Sequence, residues 1–592
     1  MRARGRENAG VSRWLTAPVG CGEGVSPGDD SSTAAANNRV TLCSQPLDQM
    51  LLAVLVLAAV AVVCWGLLQL LLPYNFLPRR NRQLLAKIPG PRNVPYLGNI
   101  LMFMGPHEEI LPKIQRMFRE YGPIFKITAL GLEDVFVSSV DDVEVLLSTT
   151  QHIEKGPDYL LLQPWLGTGL LTSSGGKWHA HRKMLTPAFH FRILEEFVPV
   201  FSRNADILVG QLERLAGDQH VDITRPVSRC ALDIICGEAR AGPCSSSHTR
   251  GGSAKPNCSR LAEPYLKTPA FIRTKTSKTA MGTSVDAQRG GGKEYVRAVH
   301  RMSRLFQHRQ ISPWLWRPTV FDLSPSGREQ KKVLATLHGF TDKVIKERRA
   351  EYRQNKMNNV AASRKRLTFL DLLIRVSEEE QEGVLTDEDI REEVNTFMFE
   401  GHDTTSAAIS WALFLLGSHQ DVQDKVVEEL RGIFGNSSRS PDFQDLQGMH
   451  YLEQVIKESL RLYPSVPGFS RTIESDFSVR GYTIPSGTGV TVLPYVIHRD
   501  PAIYPDPERF DPERFTAENC RNRHPFAYLP FSAGPRNCIG KKFALLEEKA
   551  VLSSILRNFK VTSLDKREEV SLLVELILRP KNGLKIKLTP RI

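Results

Sequence analysis

The stretch Phe531-Ser-Ala-Gly-Pro-Arg-Asn-Cys-Ile-Gly540 places one cysteine in a loop. Cys538 has Gly534 and Gly540 on either side and Arg536 two residues before it. A helix-like run, KKFALLEEKAVLSSILRNF, begins directly afterwards. Loop glycines let the backbone turn tightly and approach another group closely. A cysteine entering a helix N-terminus has its thiolate favoured by the dipole and the free N–H groups. The nearby arginine adds a charge able to hold a carboxylate. A lone cysteine in a turn is ordinarily a small buried hydrophobe. Here the whole pattern Phe-x-x-Gly-x-Arg-x-Cys-x-Gly is filled, and it reads as a thiolate presented to a metal.

The chain of 592 residues is long enough for a large core. Its nine cysteines are scattered with no Cys-x-x-Cys pair, which argues against a zinc ribbon or a disulfide-stapled secreted domain. Reduced thiols suit a cytosol-facing protein. The net charge of +12 is not spread over a basic face. Residues 237–293 carry ten Lys/Arg against three Asp/Glu, so most of the excess is local to one Gly/Ser/Pro/Thr-rich segment. That segment lacks interleaved aromatics for base stacking, so no nucleic-acid partner is expected. It reads as a low-complexity insert at about 237–278.

Residues 1–49 show no apolar period and read as a disordered extension. From Met50 to Leu72 every residue but Gln69 is apolar or glycine. A helix over 50–72 would span ~35 Å, enough to cross a ~30 Å hydrocarbon core. Arg79, Arg80, Arg82 and Lys87 follow, and place the downstream chain on the cytosolic side of an N-terminal transmembrane anchor. Residues 73–98 are basic and proline-rich and read as a hinge, with the main domain over 99–592. Ile124–Val137 alternates around a turn and predicts a small β-hairpin. The turn Lys581-Asn-Gly583 predicts another, after the strand LLVELIL. The Lys/Arg-dense span from Arg348 to Arg366 reads as a surface loop.

Thr386-Asp-Glu-Asp389 opens like a capped helix, and a proline-free run continues to about Gly417. Its middle, Glu400-Gly-His-Asp-Thr-Thr405, puts glycine, two threonines and two carboxylates among apolar residues. Propensity would prefer Ala or Leu there, and such local rule-breaking points to function. Asp403 and Thr404 form an acid–alcohol pair able to relay protons to bound dioxygen. Trp178 and Arg182 are four apart, on one helical face, and together can grip a carboxylate or phosphate. Glu458 and Arg461, three apart, also share a helical face.

These motifs resemble the cytochromes P-450 over residues 88 to the C-terminus, apart from the insert. FSAGPRNCIG is similar to the haem-binding loop, and Ile88–Gly98 to the proline-rich hinge of microsomal members. Trp178-x-x-x-Arg182 resembles the C-helix pattern, and Glu400–Thr405 the I-helix pattern. The resemblance implies haem b with Cys538 as the axial iron ligand. It implies that Trp178, Arg182, Arg471 and Arg536 hold haem propionates. Glu458 and Arg461 would brace the cysteine loop together with Arg514, from Pro512-Glu-Arg-Phe515. That copy lies nearer the loop than Pro507–Phe510. Asp403 and Thr404 would deliver protons.

Glu400 occupies a position that is usually small. A glutamate there resembles the fatty-acid-hydroxylase branch, family 4, closest to subfamily V, and implies an ester bond between Glu400 and a haem methyl. The branch pattern is matched from Glu393 to Thr405 except that Asn395 replaces an aspartate. The expected fold is therefore mainly α with small β-sheets, behind an N-terminal transmembrane helix. The expected function is hydroxylation of medium- to long-chain fatty acids at the terminal (ω) carbon. O2 and electrons would be needed, the latter from NADPH through a cytochrome reductase flavoprotein at the endoplasmic reticulum membrane. Lys541, Lys542, Arg521 and Arg523 flank the cysteine loop and could attract an acidic reductase. Two other readings stay open: a haem-thiolate isomerase or dehydratase needing no reductase, and a non-catalytic membrane haem protein if the insert disrupts the pocket.

Overall fold

A computed structural model describes residues 45–71, 78–95, 97–217, 219–239, 277–357, 368–379 and 385–591. Most of the N-terminal extension, residues 72–77 of the anchor and hinge, and residues 240–276 of the insert lie outside the described residues. The principal helices are, in chain order, α1 (Gln45–Leu71), α2 (Arg79–Leu85), α3 (Gly175–Leu185), α4 (Phe191–Leu215), α5 (Thr224–Cys236), α6 (Lys293–Gln310), α7 (Pro325–Met357), α8 (Asp387–Ser418), α9 (His450–Leu462) and α10 (Lys541–Asn558). The strands are short. They are β1 (Ile124–Ala129), β2 (Leu132–Val137), β3 (Val221–Asp222), β4 (Glu238–Ala239), β5 (Ser277–Lys278), β6 (Phe469–Thr472), β7 (Phe477–Val479), β8 (Tyr482–Ile484), β9 (Gly489–Val492), β10 (Phe559–Ser563), β11 (Leu572–Val574), β12 (Leu578–Pro580) and β13 (Lys585–Pro590). The fold is mostly helical with small sheets, as the sequence predicts.

The chain divides into two units, Met1–Trp65 and Gly66–Ile592. In the first, the side chains of α1 from Met50 to Trp65 are all exposed. Among the described residues no helix is long and apolar enough to cross a membrane.

The second unit is built around α8. Its N-cap is a capping box: Asp389 N donates to Thr386 Oγ1 at 3.1 Å, and Thr386 N donates to Asp389 Oδ2 at 3.0 Å. The polar middle survives because hydroxyls return to their own helix. Thr404 and Thr405 donate to the Glu400 and Gly401 carbonyls at 2.6 and 2.9 Å. Gly401 is a packing requirement, since a Cβ there would stand 2.6 Å from Ile235 Cδ1 on α5. Lower on α8, Trp411 stacks on Tyr463 at 4.0 Å inside the main core. The Asn395 amide oxygen accepts from Thr341 at 2.7 Å, so the amide satisfies a buried site without a charge.

Helix α3 is tied to α8 by His181, which bonds Glu393 at 2.7 Å, and by Lys177, which pairs with Asp389 and Glu392 at 2.6 and 2.9 Å. A four-stranded sheet, in the order β1-β2-β9-β6, covers a second apolar cluster. Its β1–β2 hairpin is the one expected, turning through Leu130 and Gly131 at φ 48° and 82°. The basic stretch expected as a hinge is partly folded: α2 carries Leu85 into that cluster, and Ile88 follows it.

Three local expectations are corrected. The basic span after Arg348 is helical as far as Met357, because Arg348 is buried against Asp371 at 2.6 Å. LLVELIL is not one strand but a hairpin, β11–β12. Lys581-Asn-Gly583 does not join a hairpin, since β12 pairs with β11 while β13 pairs with β10 and β3.

The ends of the insert are sewn together. β4 and β5 pair antiparallel, Glu238 with Lys278 and Ala239 with Ser277. Beside them, Thr279 Oγ1 donates to the Ile234 carbonyl at 2.5 Å.

Candidate active site

The Cys538 loop is fixed by its own backbone. Cys538 N donates to the Phe531 carbonyl at 2.9 Å, and Asn537 N to the Gly534 carbonyl at 3.1 Å. Gly534 has φ 69°, and a Cβ on it would stand 1.8 Å from the Leu147 carbonyl oxygen. The loop therefore presses flat on the helix behind it, and only glycine allows this.

Cys538 opens onto a cavity of about 570 Å³, within the usual range for cofactor and ligand sites. Glu400, Gly401, Thr404 and Thr405 of α8 also line it, with Leu460, Val466 and Phe531 among the apolar residues. Although the side chain has exposed surface, that surface faces the cavity, and the enclosing protein pushes the thiol up to about 11. The Glu400 charge adds to the rise, while the Gly540 N–H, Arg182 and Lys541 act against it. In the protein alone, burial is the largest influence on this thiol. A bound metal cation would reverse the shift, since a coordinating thiol is deprotonated outright.

Four cations gather by the loop. Arg182 donates to the Asn537 carbonyl and Oδ1 at 2.8 and 2.7 Å. Arg536 donates to the carbonyls of Ile153, Leu170 and Ser173 and lies 4.4 Å over the Trp178 ring. Arg471 is buried just behind the lining, with one bond to the Ser470 carbonyl at 3.0 Å. Lys155, which sequence reasoning missed, completes the group. Burial drives its pKa well down, and Arg471 and Arg536 add to the fall. Among the described residues none of the four is ion-paired to a carboxylate. Cations gathered this closely, with no carboxylate at ion-pair distance, suit an anionic ligand.

Glu400 reaches the cavity, and burial pushes it up to about 7; Lys155 opposes the rise and Glu393 adds to it. Asp403 and Thr404 are divided. Thr404 faces the cavity, whereas Asp403 is fully buried against Arg579, with His300 Nε2 at 3.9 Å. Burial would raise Asp403, but Arg579, His402 and His300 outweigh it and keep the carboxylate below its ordinary range.

Glu458, Arg461 and Arg514, the residues expected to brace the loop, lie together. Arg461 Nε and NH2 donate to the two Glu458 oxygens at 2.7 and 2.8 Å, and both side chains are fully buried. Arg514 Nε stands 3.6 Å from Glu458 Oε1. The earlier copy offers only carbonyls, Pro507 and Arg509, to Arg461.

The family model for cytochrome P450 matches residues 88–239 and 270–588. The chain belongs to the cytochrome P450 family. Relatives place it in family 4. Cytochrome P450 4V2 of Homo sapiens is 44% identical over 521 residues, covering 86% of this chain and 91% of the relative. Cytochrome P450 4V2 of Rattus norvegicus is 44% identical over 541 residues, covering 90% and 94%. Cytochrome P450 4c3 of Drosophila melanogaster is 42% identical over 547 residues, covering 89% and 93%. This P450 therefore belongs to a family of haem-dependent monooxygenases, and its cavity fits the group. Among the described residues no group of three or more His, Cys, Asp or Glu side chains is placed to hold a metal ion. The unpaired cations beside Cys538 suit a dianionic macrocycle edge.

Lys155 had no local signal, since in Glu-Lys-Gly-Pro it reads as a surface charge. Arg579 and His300 were equally silent, because both meet Asp403 only through tertiary contact.

Proposed function

We propose that this P450 hydroxylates medium- to long-chain fatty acids at the ω carbon, using O2 and electrons passed from NADPH by a flavoprotein reductase. The observation that carries the reading is Glu400, a carboxyl on α8 opening onto the same cavity as Cys538. Haem bound there would supply oxygen activation and oxidation of a C–H bond. Cys538 would ligate the iron, and Trp178, Arg182, Arg471 and Arg536 would hold the propionates. Glu400 would form an ester to the haem and so fix the edge of a narrow channel. Thr404 would hold a proton at Oγ1 toward the cavity, and Asp403 would resupply it from behind α8. Glu458, Arg461 and Arg514 would keep the loop from shifting.

An N-terminal membrane anchor is part of the proposal, with the catalytic domain on the cytosolic side of the endoplasmic reticulum. The apolar run of α1, exposed from Met50 to Trp65, supports it. The basic residues Lys541 and Lys542 would face the reductase.

Two measurements test the proposal. The reduced protein with carbon monoxide should show the Soret band of a thiolate-ligated haem. Dodecanoate with reductase and NADPH should give the ω-alcohol. A neutral-ligand Soret band in folded protein, or product formed without NADPH, would overturn it.

A further inference from the structure

Behind α8, three buried polar atoms have no hydrogen-bond partner although charged groups stand beside them. They are His300 Nε2 on α6, Glu575 Oε2 in the turn of the β11–β12 hairpin, and Arg579 Nε on β12. Arg579 Nε lies 3.4 Å from Glu575 Oε2 but makes no hydrogen bond to it. Its NH2 donates instead to both oxygens of Asp403. One guanidinium thus serves one carboxylate and has a second within reach. The two acids differ in what they face: Glu575 lines the cavity, and Asp403 does not. His300 Nε2 stands 3.9 Å from Asp403 Oδ1, and its side chain is 34% exposed. The imidazole therefore spans the wall between solvent and the fully buried Asp403.

Asp403 cannot hold a proton while Arg579 is bonded to both its oxygens. With the guanidinium gone, burial favours the protonated acid. Glu575 is the seat to which Arg579 can move. An alkyl chain filling the cavity takes water from Glu575, and a dehydrated carboxylate without a partner is costly. The filled cavity therefore favours Arg579 on Glu575. His300 Nε2 then faces a free carboxylate. A neutral imidazole gives up a proton at one nitrogen and takes one from water at the other. The net step moves one proton from solvent to Asp403 and leaves the ring neutral.

We propose that Arg579 is a substrate-operated gate, which leaves Asp403 for Glu575 when the cavity fills and so lets solvent protons reach Asp403 through His300. The inference rests on the ω-hydroxylase reading, in which Asp403 resupplies Thr404, and adds the route by which Asp403 is refilled. An empty cavity keeps that route shut. Arg579, Glu575 and His300 are positioning residues, since none of them touches the reacting atoms.

The test uses the haem-loaded full chain with and without dodecanoate. Deuterium exchange at the imidazole C2, read by peptide mass spectrometry, gives the titration midpoint of His300 without turnover. The charged and titratable groups facing this ring are Arg579, Asp403, His402 and Arg304. Dodecanoate is expected to raise the midpoint by about one unit, as a freed carboxylate does, and to leave it unmoved in Glu575→Gln. His300→Phe gives up no Nε2 hydrogen bond. With reductase and NADPH it should form severalfold less product per NADPH and show a larger solvent isotope effect. A wild-type midpoint that dodecanoate does not move overturns the gate. An unchanged yield per NADPH in His300→Phe overturns the route. If ω-hydroxydodecanoate still forms in the wild type, the ω-hydroxylase reading survives either result. Its absence removes that reading and the inference with it.

Discussion

The Leu529 N–H donates to His498 Nε2 at 2.8 Å, which leaves His498 Nδ1–H to donate to the Arg461 carbonyl at 3.2 Å. One imidazole thus joins the Glu458–Arg461 brace to the segment that turns into the Cys538 loop. The bond from Leu529 requires the neutral ring, because Nε2 must accept there. Burial first, then Arg461 and Arg499, hold its pKa down to about 3 from 6.5.

The sign of the pH effect follows. The unfolded chain takes up this proton near its ordinary value and the folded chain only far lower. The group's stability is therefore present above the unfolded value and lost as pH falls toward the folded one. Its slope is up to ~1.4 kcal/mol per pH unit. Urea unfolding between ~pH 6.5 and ~pH 4.5 should show that slope in the wild type, and His498→Gln should remove one proton's share of it. An unchanged slope would show that His498 titrates normally.

The brace should respond unequally to its arginines. Arg461→Met strands the buried Glu458 carboxylate, at an expected cost of ~3–5 kcal/mol. Arg514→Met should cost nearer ~1 kcal/mol. Its Nε makes no hydrogen bond, and its NH2 serves the Pro505 and Asp506 carbonyls at 2.7 and 2.9 Å. Denaturation midpoints and haem-loaded yield measure both. Equal losses would contradict the geometry.

Glu400→Ala should release haem to acid-organic extraction after turnover, while the wild type retains it. Mass spectrometry of the denatured chain gives the same answer independently of activity. Free haem from fully turned-over wild type would refute the ester.

Thr404 and Asp403 should separate chemistry from stability. Thr404 Oγ1 bonds only to its own helix, so Thr404→Val should leave the unfolding midpoint almost unchanged. Product formed per NADPH consumed should fall severalfold. Asp403→Ala removes one of the two buried carboxylates paired with Arg579, leaving Glu575 at 3.4 Å, and should destabilise by ~1–3 kcal/mol. A large midpoint drop in Thr404→Val would assign that hydroxyl to packing.

Features set by neighbours in sequence were legible without coordinates. The capping box at Thr386, the Glu458–Arg461 pair and the Cys538 loop are each complete within a few residues. Features set by tertiary approach were not. Lys155 acquires its meaning only when Arg471 and Arg536 are brought beside it. Asp403 read as the cavity-side partner of Thr404, yet consecutive helix positions point about 100° apart, and Arg579 holds it on the other face. The enclosure of the Cys538 thiol by the cavity wall is likewise not visible in sequence. Gly401 read as a functional irregularity, whereas its immediate cause is the close crossing of α5.

The β4–β5 ladder gives this P450 a place where evolution, or an engineer, can splice in foreign sequence at little thermodynamic cost. Once two chain ends are held by a ladder, the entropy of the segment between them grows only with the logarithm of its length. Trimming residues 240–276 to a four-residue link should make the protein more stable by about 2 kcal/mol.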